Sequence, residues 1–292
     1  MRGEGMKRNS HRGQTASSLL LLGVAAVLAV RLPTPSGARA AAAHSSVKLV
    51  AETNAVVPGR RLWLGLEFRM DSGWHIYWVN AGDSGEPPTV TWQMPKGFAA
   101  GTIEWPVPQR LGQGAIVDYG YENHVLLLVP VSTPAPAGRL SDVQFAARVE
   151  WLACKEVCVP ARASVRLDLP VSSRATVSPA MRALFAGARA RLPRPAPRSW
   201  HAAASDEGDD FVLTIETGKR ERTATFFPLV PDQIRNSAPQ AAHPTSGGVR
   251  LTLRKSDLLV GRVKWLRGLI SFGGGAAYAV AAPVGHPPRR VK

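Results

Sequence analysis

Two cysteines occur in the 292 residues, Cys154 and Cys158. They lie four positions apart in Cys154-Lys155-Glu156-Val157-Cys158-Val159-Pro160. Along an extended strand their α-carbons would stand roughly 13 Å apart. A disulfide needs about 4.4 to 6.8 Å. The bridge therefore closes only if the chain reverses tightly between them, as at a hairpin tip. As a staple it would do little, because closing so short a loop removes on the order of 2 kcal/mol of unfolded-chain entropy. A chain this long buries a large core without such help. Bridges at exposed tips are also the labile ones, which favours thiol–disulfide exchange over a purely structural role. Lys155 favours a thiolate and Glu156 opposes it, so local charge alone does not set reactivity. Two other readings stay open: a structural bridge, and a copper or zinc site in which His124 joins the two thiolates. No full ligand set at standard spacing accompanies that trio.

The elements that must hold this pair read as β. Residues 143–152 alternate, with Val143, Phe145, Ala147, Val149 and Trp151 on one face, the period-two mark of a half-buried strand. Residues 163–169 supply the second arm. Further short runs at 48–52, 61–69, 89–94 and 125–131 are rich in Val, Leu and aromatics and bounded by turn formers. Strands at this spacing predict an all-β, immunoglobulin-like sandwich over 46–171. A helix follows, with Ser178 as N-cap and Pro179 at its first position. Met181, Leu184, Phe185, Ala188 and Leu192 recur at helical spacing up to Pro193, and 193–197 reads as a stiff connector. Residues 172–200 thus form a helix and Pro/Arg-rich linker. Strands at 211–216, 223–227, 249–253, 269–272 and 276–281 predict a second, smaller β domain over 201–285, and 286–292 form a basic tail.

The N-terminus fixes the expected compartment. Arg2, Lys7, Arg8 and Arg12 precede an apolar run at 16–30, and Ala38-Arg39-Ala40 offers a small-residue cleavage motif, with Ala41-Ala42-Ala43 as a second. This is the layout of a secretory signal peptide, assigned here to residues 1–43. The apolar run falls short of the roughly 20 residues of a membrane anchor. The expectation is an exported, periplasmic protein with no membrane span in its mature form. The formal net charge is +15, and removal of the signal leaves about +10. The remaining cations are dispersed and lack interleaved aromatics, which argues against a nucleic-acid platform.

Beyond the cysteines, Gly73-Trp74-His75-Ile76-Tyr77-Trp78-Val79-Asn80-Ala81-Gly82-Asp83-Ser84-Gly85-Glu86-Pro87-Pro88 resembles the opening motif of the N-terminal periplasmic domain of DsbD-type thiol:disulfide interchange proteins. Trp105-Pro106-Val107-Pro108-Gln109-Arg110, Asp118-Tyr119-Gly120-Tyr121-Glu122 and the run from Glu150 to Pro160 continue the likeness in order. It covers residues 49–171 and is closest to the suppressor of copper sensitivity protein B branch, whose second extracytoplasmic segment 226–228 and 251–284 resemble more weakly. The resemblance implies a domain that relays reducing equivalents through Cys154 and Cys158, as a protein-disulfide reductase component if it is catalytic. It needs no cofactor beyond the redox-active disulfide, and the branch suggests copper tolerance. It also implies a short cap loop over the pair, best matched by Asp118, Tyr119, Tyr121 and Glu122, with edge-strand packing of the two tyrosines as the alternative. Trp74, His75, Tyr77 and Trp78 are expected as scaffolding, and Asp83-Ser84-Gly85 as a turn. Two departures stand out. The archetype separates its cysteines by more residues, and its full-length members continue into membrane and thioredoxin-like domains that this sequence lacks. A separate membrane electron donor is therefore expected, with periplasmic thioredoxin-like or disulfide-bearing proteins as partners. The alternative is a non-catalytic copper- or partner-binding sandwich with a structural disulfide.

Overall fold

The computed structural model describes residues 39–112, 114–135, 142–273 and 275–285. The apolar run and basic start of the expected signal peptide lie outside these residues. The first strands are β1 (Arg39–Ala42), β2 (Ser45–Ala51), β3 (Leu62–Met70), β4 (His75–Gly82), β5 (Thr89–Gln93) and β6 (Ala99–Ala100). They are followed by β7 (Gln109–Leu111), β8 (Asp118–Glu122), β9 (His124–Ser132), β10 (Val143–Cys154) and β11 (Cys158–Leu169). One sheet runs β1-β2-β3-β9-β6; the other runs β11-β10-β4-β8-β7, with β5 also paired to β10. The two inner faces share a core that includes Leu49, Leu64, Phe68, Trp78, Tyr119, Phe145 and Val149. This is the immunoglobulin-like sandwich that the alternating pattern predicts.

The helix forms where its periodicity places it. α1 (Pro179–Ala190) is capped by Ser178, whose Oγ accepts from the Met181 amide at 3.2 Å. It lies on the outer face of β9, where Phe185 and Ala188 pack with Val50, Leu126 and Leu128. Successive residues of β9 therefore bury apolar side chains on both faces, which explains its unbroken run from Val125 to Val129. The Arg189 guanidinium grips Glu52 with two bonds of 2.6 and 2.7 Å. That partner also holds the Arg189 pKa above its ordinary value.

The smaller β domain contains β12 (Arg194–Pro195), β13 (His201–Glu207), β14 (Asp210–Glu216), β15 (Thr225–Pro228) and β16 (Ala241–Pro244). It is completed by β17 (Gly248–Arg254), β18 (Trp265–Ser271) and β19 (Ala277–Gly285). These pair in the order β15-β18-β19-β13-β14-β17-β16, with β12 on β19, over a core of residues such as Phe211, Leu213, Phe226, Leu251 and Ile270. Phe227, Leu269 and Ala277 point the other way and complete the core of the sandwich. Hydrogen bonds next to β8 also join the two parts. Tyr119 Oη donates to Asn236 Oδ1 at 3.1 Å, and Asn236 Nδ2 donates to Asp83 Oδ1 at 2.8 Å. Asn80 Nδ2 donates to the Pro228 carbonyl at 2.8 Å, and the Arg110 guanidinium donates to the Asn236 carbonyl.

Candidate functional site

β10 and β11 form the expected hairpin, in unbroken register from Val143↔Leu169 to Cys154↔Cys158. Lys155, Glu156 and Val157 make the tip, and the two cysteines face each other in a disulfide with α-carbons 4.1 Å apart. The tip is held from below: the Lys155 stem lies where a Gly73 side chain would project, 3.2 Å from its ideal Cβ position. Trp151 anchors the arm, its Nε1 donating to Ser45 Oγ at 3.0 Å while its ring meets Phe68 edge-on.

The two sulfurs occupy different environments. Cys154 is 2 % exposed, whereas Cys158 is exposed. Beside it Val157 stands 65 % exposed, an apolar contact point at the tip. Of the two residues, Cys158 is the one open to solvent.

Under Cys158 lies the Tyr77 hydroxyl, 3.4 Å from its sulfur and 3.4 Å from Ser84 Oγ. Ser84 Oγ donates to Asp118 Oδ2 at 2.8 Å, and the Ser84 amide donates to Asp118 Oδ1 at 2.9 Å. The serine proton is thus committed to the carboxylate, which leaves the tyrosine proton to be shared between Ser84 Oγ and the sulfur. Burial raises the Tyr77 pKa above its ordinary value, and the Asp118 charge adds to that rise while the Ser84 bond opposes it. The phenol stays protonated and acts as a donor. His75 is paired with Cys154 in the sheet, and its Nε2 lies 4.0 Å from Asp118 Oδ2 without a hydrogen-bond partner. Burial lowers its pKa against the opposing pull of Asp118 and Glu122, so it is neutral at neutral pH.

The turn that supplies Ser84 depends on glycine. Gly85 has φ +69°, and a Cβ there would sit 2.1 Å from Tyr77 Cζ. The chain can fold flat over the phenol only without that atom. Asp83 holds the turn from the other side, its Oδ2 accepting from the Val117 amide at 2.8 Å. Inward of the cysteines a groove of about 620 Å³ lies along the hairpin, lined among others by Glu86, Pro87, Leu152 and Pro160. Leu152 and Pro160 are two paired steps inward from the cysteines and so on the same face of the ribbon.

These positions correct the expected cap loop. Asp118–Glu122 is strand β8, with Tyr119 and Tyr121 buried at 0 % and 4 %. Tyr121 donates to the Pro106 carbonyl at 2.7 Å, and Tyr119 turns toward Asn236. Both rings gain more from the apolar core, with their hydroxyls satisfied, than an exposed loop would give them. Neither covers the sulfurs. Asp118 does belong to the site, through Ser84, and Glu122 acts on it through His75. Tyr77, Ser84 and His75, expected only as scaffold and turn, carry the contacts that the cap loop was to supply. His124, the metal candidate, is 3.2 Å from Glu67 Oε1, which also binds Arg69. Among the described residues no group of three or more His, Cys, Asp or Glu gathers as a metal cage.

Comparison with known proteins agrees with this geometry. The model of the family described as thiol:disulfide interchange protein DsbD, N-terminal, matches residues 46–170 and so spans both cysteines. Residues 46–170 form a DsbD N-terminal-type domain. The crystal structure of the N-terminal periplasmic domain of ScsB from Proteus mirabilis superposes with a TM-score of 0.63 at 15 % identity, covering 84 % of this chain and 95 % of that one. Its fold thus takes in the second β domain as well as the sandwich. The periplasmic chaperone SfaE matches at a TM-score of 0.22 and 8 % identity over 82 % of this chain and all of its own, too loosely to relate the two folds. No curated protein matches in sequence. The DsbD N-terminal-type domain is accordingly a thiol–disulfide exchange type with its cysteine pair in place. No helix among the described residues is long and apolar enough to cross a membrane.

Proposed function

We propose that this protein relays reducing equivalents outside the cytoplasm, passing two electrons at a time through Cys154 and Cys158. The observation that carries this reading is the asymmetry of the pair: one cysteine exposed at a hairpin tip with a phenol hydroxyl at its sulfur, the other buried. In the reduced protein the Cys158 thiolate attacks one sulfur of a partner's disulfide. The partner's other sulfur leaves as a thiolate and takes up a proton from solvent. Cys154, deprotonated, then attacks Cys158 Sγ, expelling the partner's second thiolate. The partner ends as a dithiol and this chain holds the Cys154–Cys158 disulfide. Recharging runs the same steps in reverse, from a thioredoxin-like dithiol fed by a separate membrane electron donor.

The Tyr77 hydroxyl supports the first step because a hydrogen bond to a thiolate is stronger than one to a neutral hydroxyl. When Cys158 ionises, the shared proton swings from Ser84 to the sulfur. Buried Cys154 is kept from bystander thiols until a partner is bound at Cys158.

The test is a trap. With Cys154→Ser the resolving thiol is gone, so reduced protein mixed with an oxidised thioredoxin-like protein should accumulate a disulfide-linked adduct through Cys158. Cys158→Ser should yield little adduct and retain the melting temperature of the reduced wild type. Equal trapping by both variants would contradict the assignment of Cys158 as the attacking sulfur.

A further inference from the structure

Far along the chain from the cysteines, the turn between β17 and β18 carries an apolar face that the exchange chemistry does not use. Five of the eight exposed large apolar side chains among the described residues gather there: Leu229, Val230, Leu258, Val260 and Trp265. Val260 is 93 % exposed and Leu258 is 69 % exposed. The turn is built and not frayed. Ser256 accepts from two following amides, its Oγ from Leu258 and its carbonyl from Leu259, both at 3.1 Å, and Gly261 reverses the chain at φ +76°. Val263, just beyond, is buried in the domain core and anchors the turn's return. The side chains presented outward are therefore held outward by the backbone. Exposed apolar clusters of this kind mark contact surfaces.

The charged groups around the cluster are mostly cationic. Arg262, Lys264 and Arg267 line the same shallow groove as Val230, Leu258 and Val260, and Asp232 is the only acid that lines it. Asp257, next to Leu258, is already paired with Arg235. The Arg267 guanidinium lies 5.8 Å from the centre of the half-exposed Trp265 ring. The elements are thus a protruding aliphatic tip, an indole at its edge and cations around it.

We propose that this face docks the protein on an anionic phospholipid surface. The aliphatic tip enters the boundary of the acyl chains, the indole sits at headgroup depth and the cations meet lipid phosphates. A protein partner would need a matching socket for a single side chain as exposed as Val260, whereas a bilayer closes around it without one. Such docking would keep the exchange site close to a membrane-borne donor, yet it depends on none of the cysteine chemistry.

Sedimentation of the protein with vesicles tests the proposal. Vesicles of phosphatidylethanolamine with phosphatidylglycerol should carry the protein down at low salt, and vesicles of phosphatidylcholine should not. Leu258→Ser with Val260→Ser should weaken the binding by about tenfold, as expected when two aliphatic side chains no longer leave water. Each of Arg262→Gln, Lys264→Gln and Arg267→Gln should weaken it by about fivefold. Val260→Trp, which adds an interfacial ring at an already open position, should tighten it. The rate of exchange with a soluble disulfide should remain that of wild type in all of them, which separates this surface from the redox site. Absence of sedimentation with phosphatidylglycerol, or sedimentation that the double serine variant leaves unchanged, overturns the proposal. So does capture of the face by an acidic protein without any binding to vesicles.

Discussion

A disulfide sulfur is a poor hydrogen-bond acceptor and a thiolate is a good one, so the Tyr77 hydroxyl matters most after the bridge has opened. Hydrogen bonds to charged groups contribute about 1.5 to 3 kcal/mol. A more basic thiolate is also a stronger nucleophile, which returns part of any loss. Replacing Tyr77 by Phe should therefore slow alkylation of reduced Cys158 at pH 7 by about threefold or more, read by iodoacetamide labelling and mass spectrometry. An unchanged rate would remove the phenol from the mechanism. His75 makes a different prediction. Burial holds its pKa below the ordinary 6.5 in the folded protein, so the unfolded chain takes up that proton first as pH falls. Folding stability contributed by neutral His75 is then complete above about pH 6.5 and lost progressively below it. Urea denaturation between pH 7.5 and 5 should show that decline, and His75→Gln should flatten part of it. At this scale the sequence displayed the cysteines plainly, because their type and spacing carry the chemistry. It did not display Tyr77 or Ser84. A tyrosine in an aromatic-rich strand looks like core, and only the fold of Asp83-Ser84-Gly85 over its ring shows where the hydroxyl points.

Among the elements, the β10–β11 hairpin was readable from alternation and from the distance a disulfide demands, and α1 from its cap and periodicity. β13 was not, since His-Ala-Ala-Ala-Ser-Asp-Glu contains no β-branched or aromatic strand former. It is a strand because β14 pairs with it along its whole length and β19 pairs with Ala204 and Ser205 in its middle. β8 was legible only as an alternative, for a related reason. Its five residues hold two strand formers, Tyr119 and Tyr121, around Gly120, which brings the backbone against the Ile76 carbonyl. The helix also has a task that the sequence could not announce: it covers the second face of β9. Phe185 is fully buried there. Its replacement by Ala should cost about 3 to 5 kcal/mol in chemical denaturation. A loss below about 1 kcal/mol, the scale of a surface change, would mean that α1 rests on the sheet without closing it.

Across the whole molecule, the second β domain stands directly behind the exchange site. Asn236 binds Tyr119 of β8 and Asp83 of the turn that bears Ser84, while Phe227 meets the Tyr119 ring edge-on. The turn over Tyr77 is therefore fixed by residues more than 150 positions apart in sequence, a dependence invisible to local patterns. This bracing holds the turn over Tyr77, whose hydroxyl meets the sulfur of the exposed Cys158. The central claim is that the Cys154–Cys158 bridge exchanges electrons and does not merely staple a hairpin. It is tested most directly by equilibrating the purified protein against graded glutathione and dithiothreitol buffers and counting free thiols by alkylation. A midpoint between about −150 and −270 mV, the span of exchange proteins, is the result predicted. A midpoint well below about −300 mV, where structural bridges lie, would contradict it.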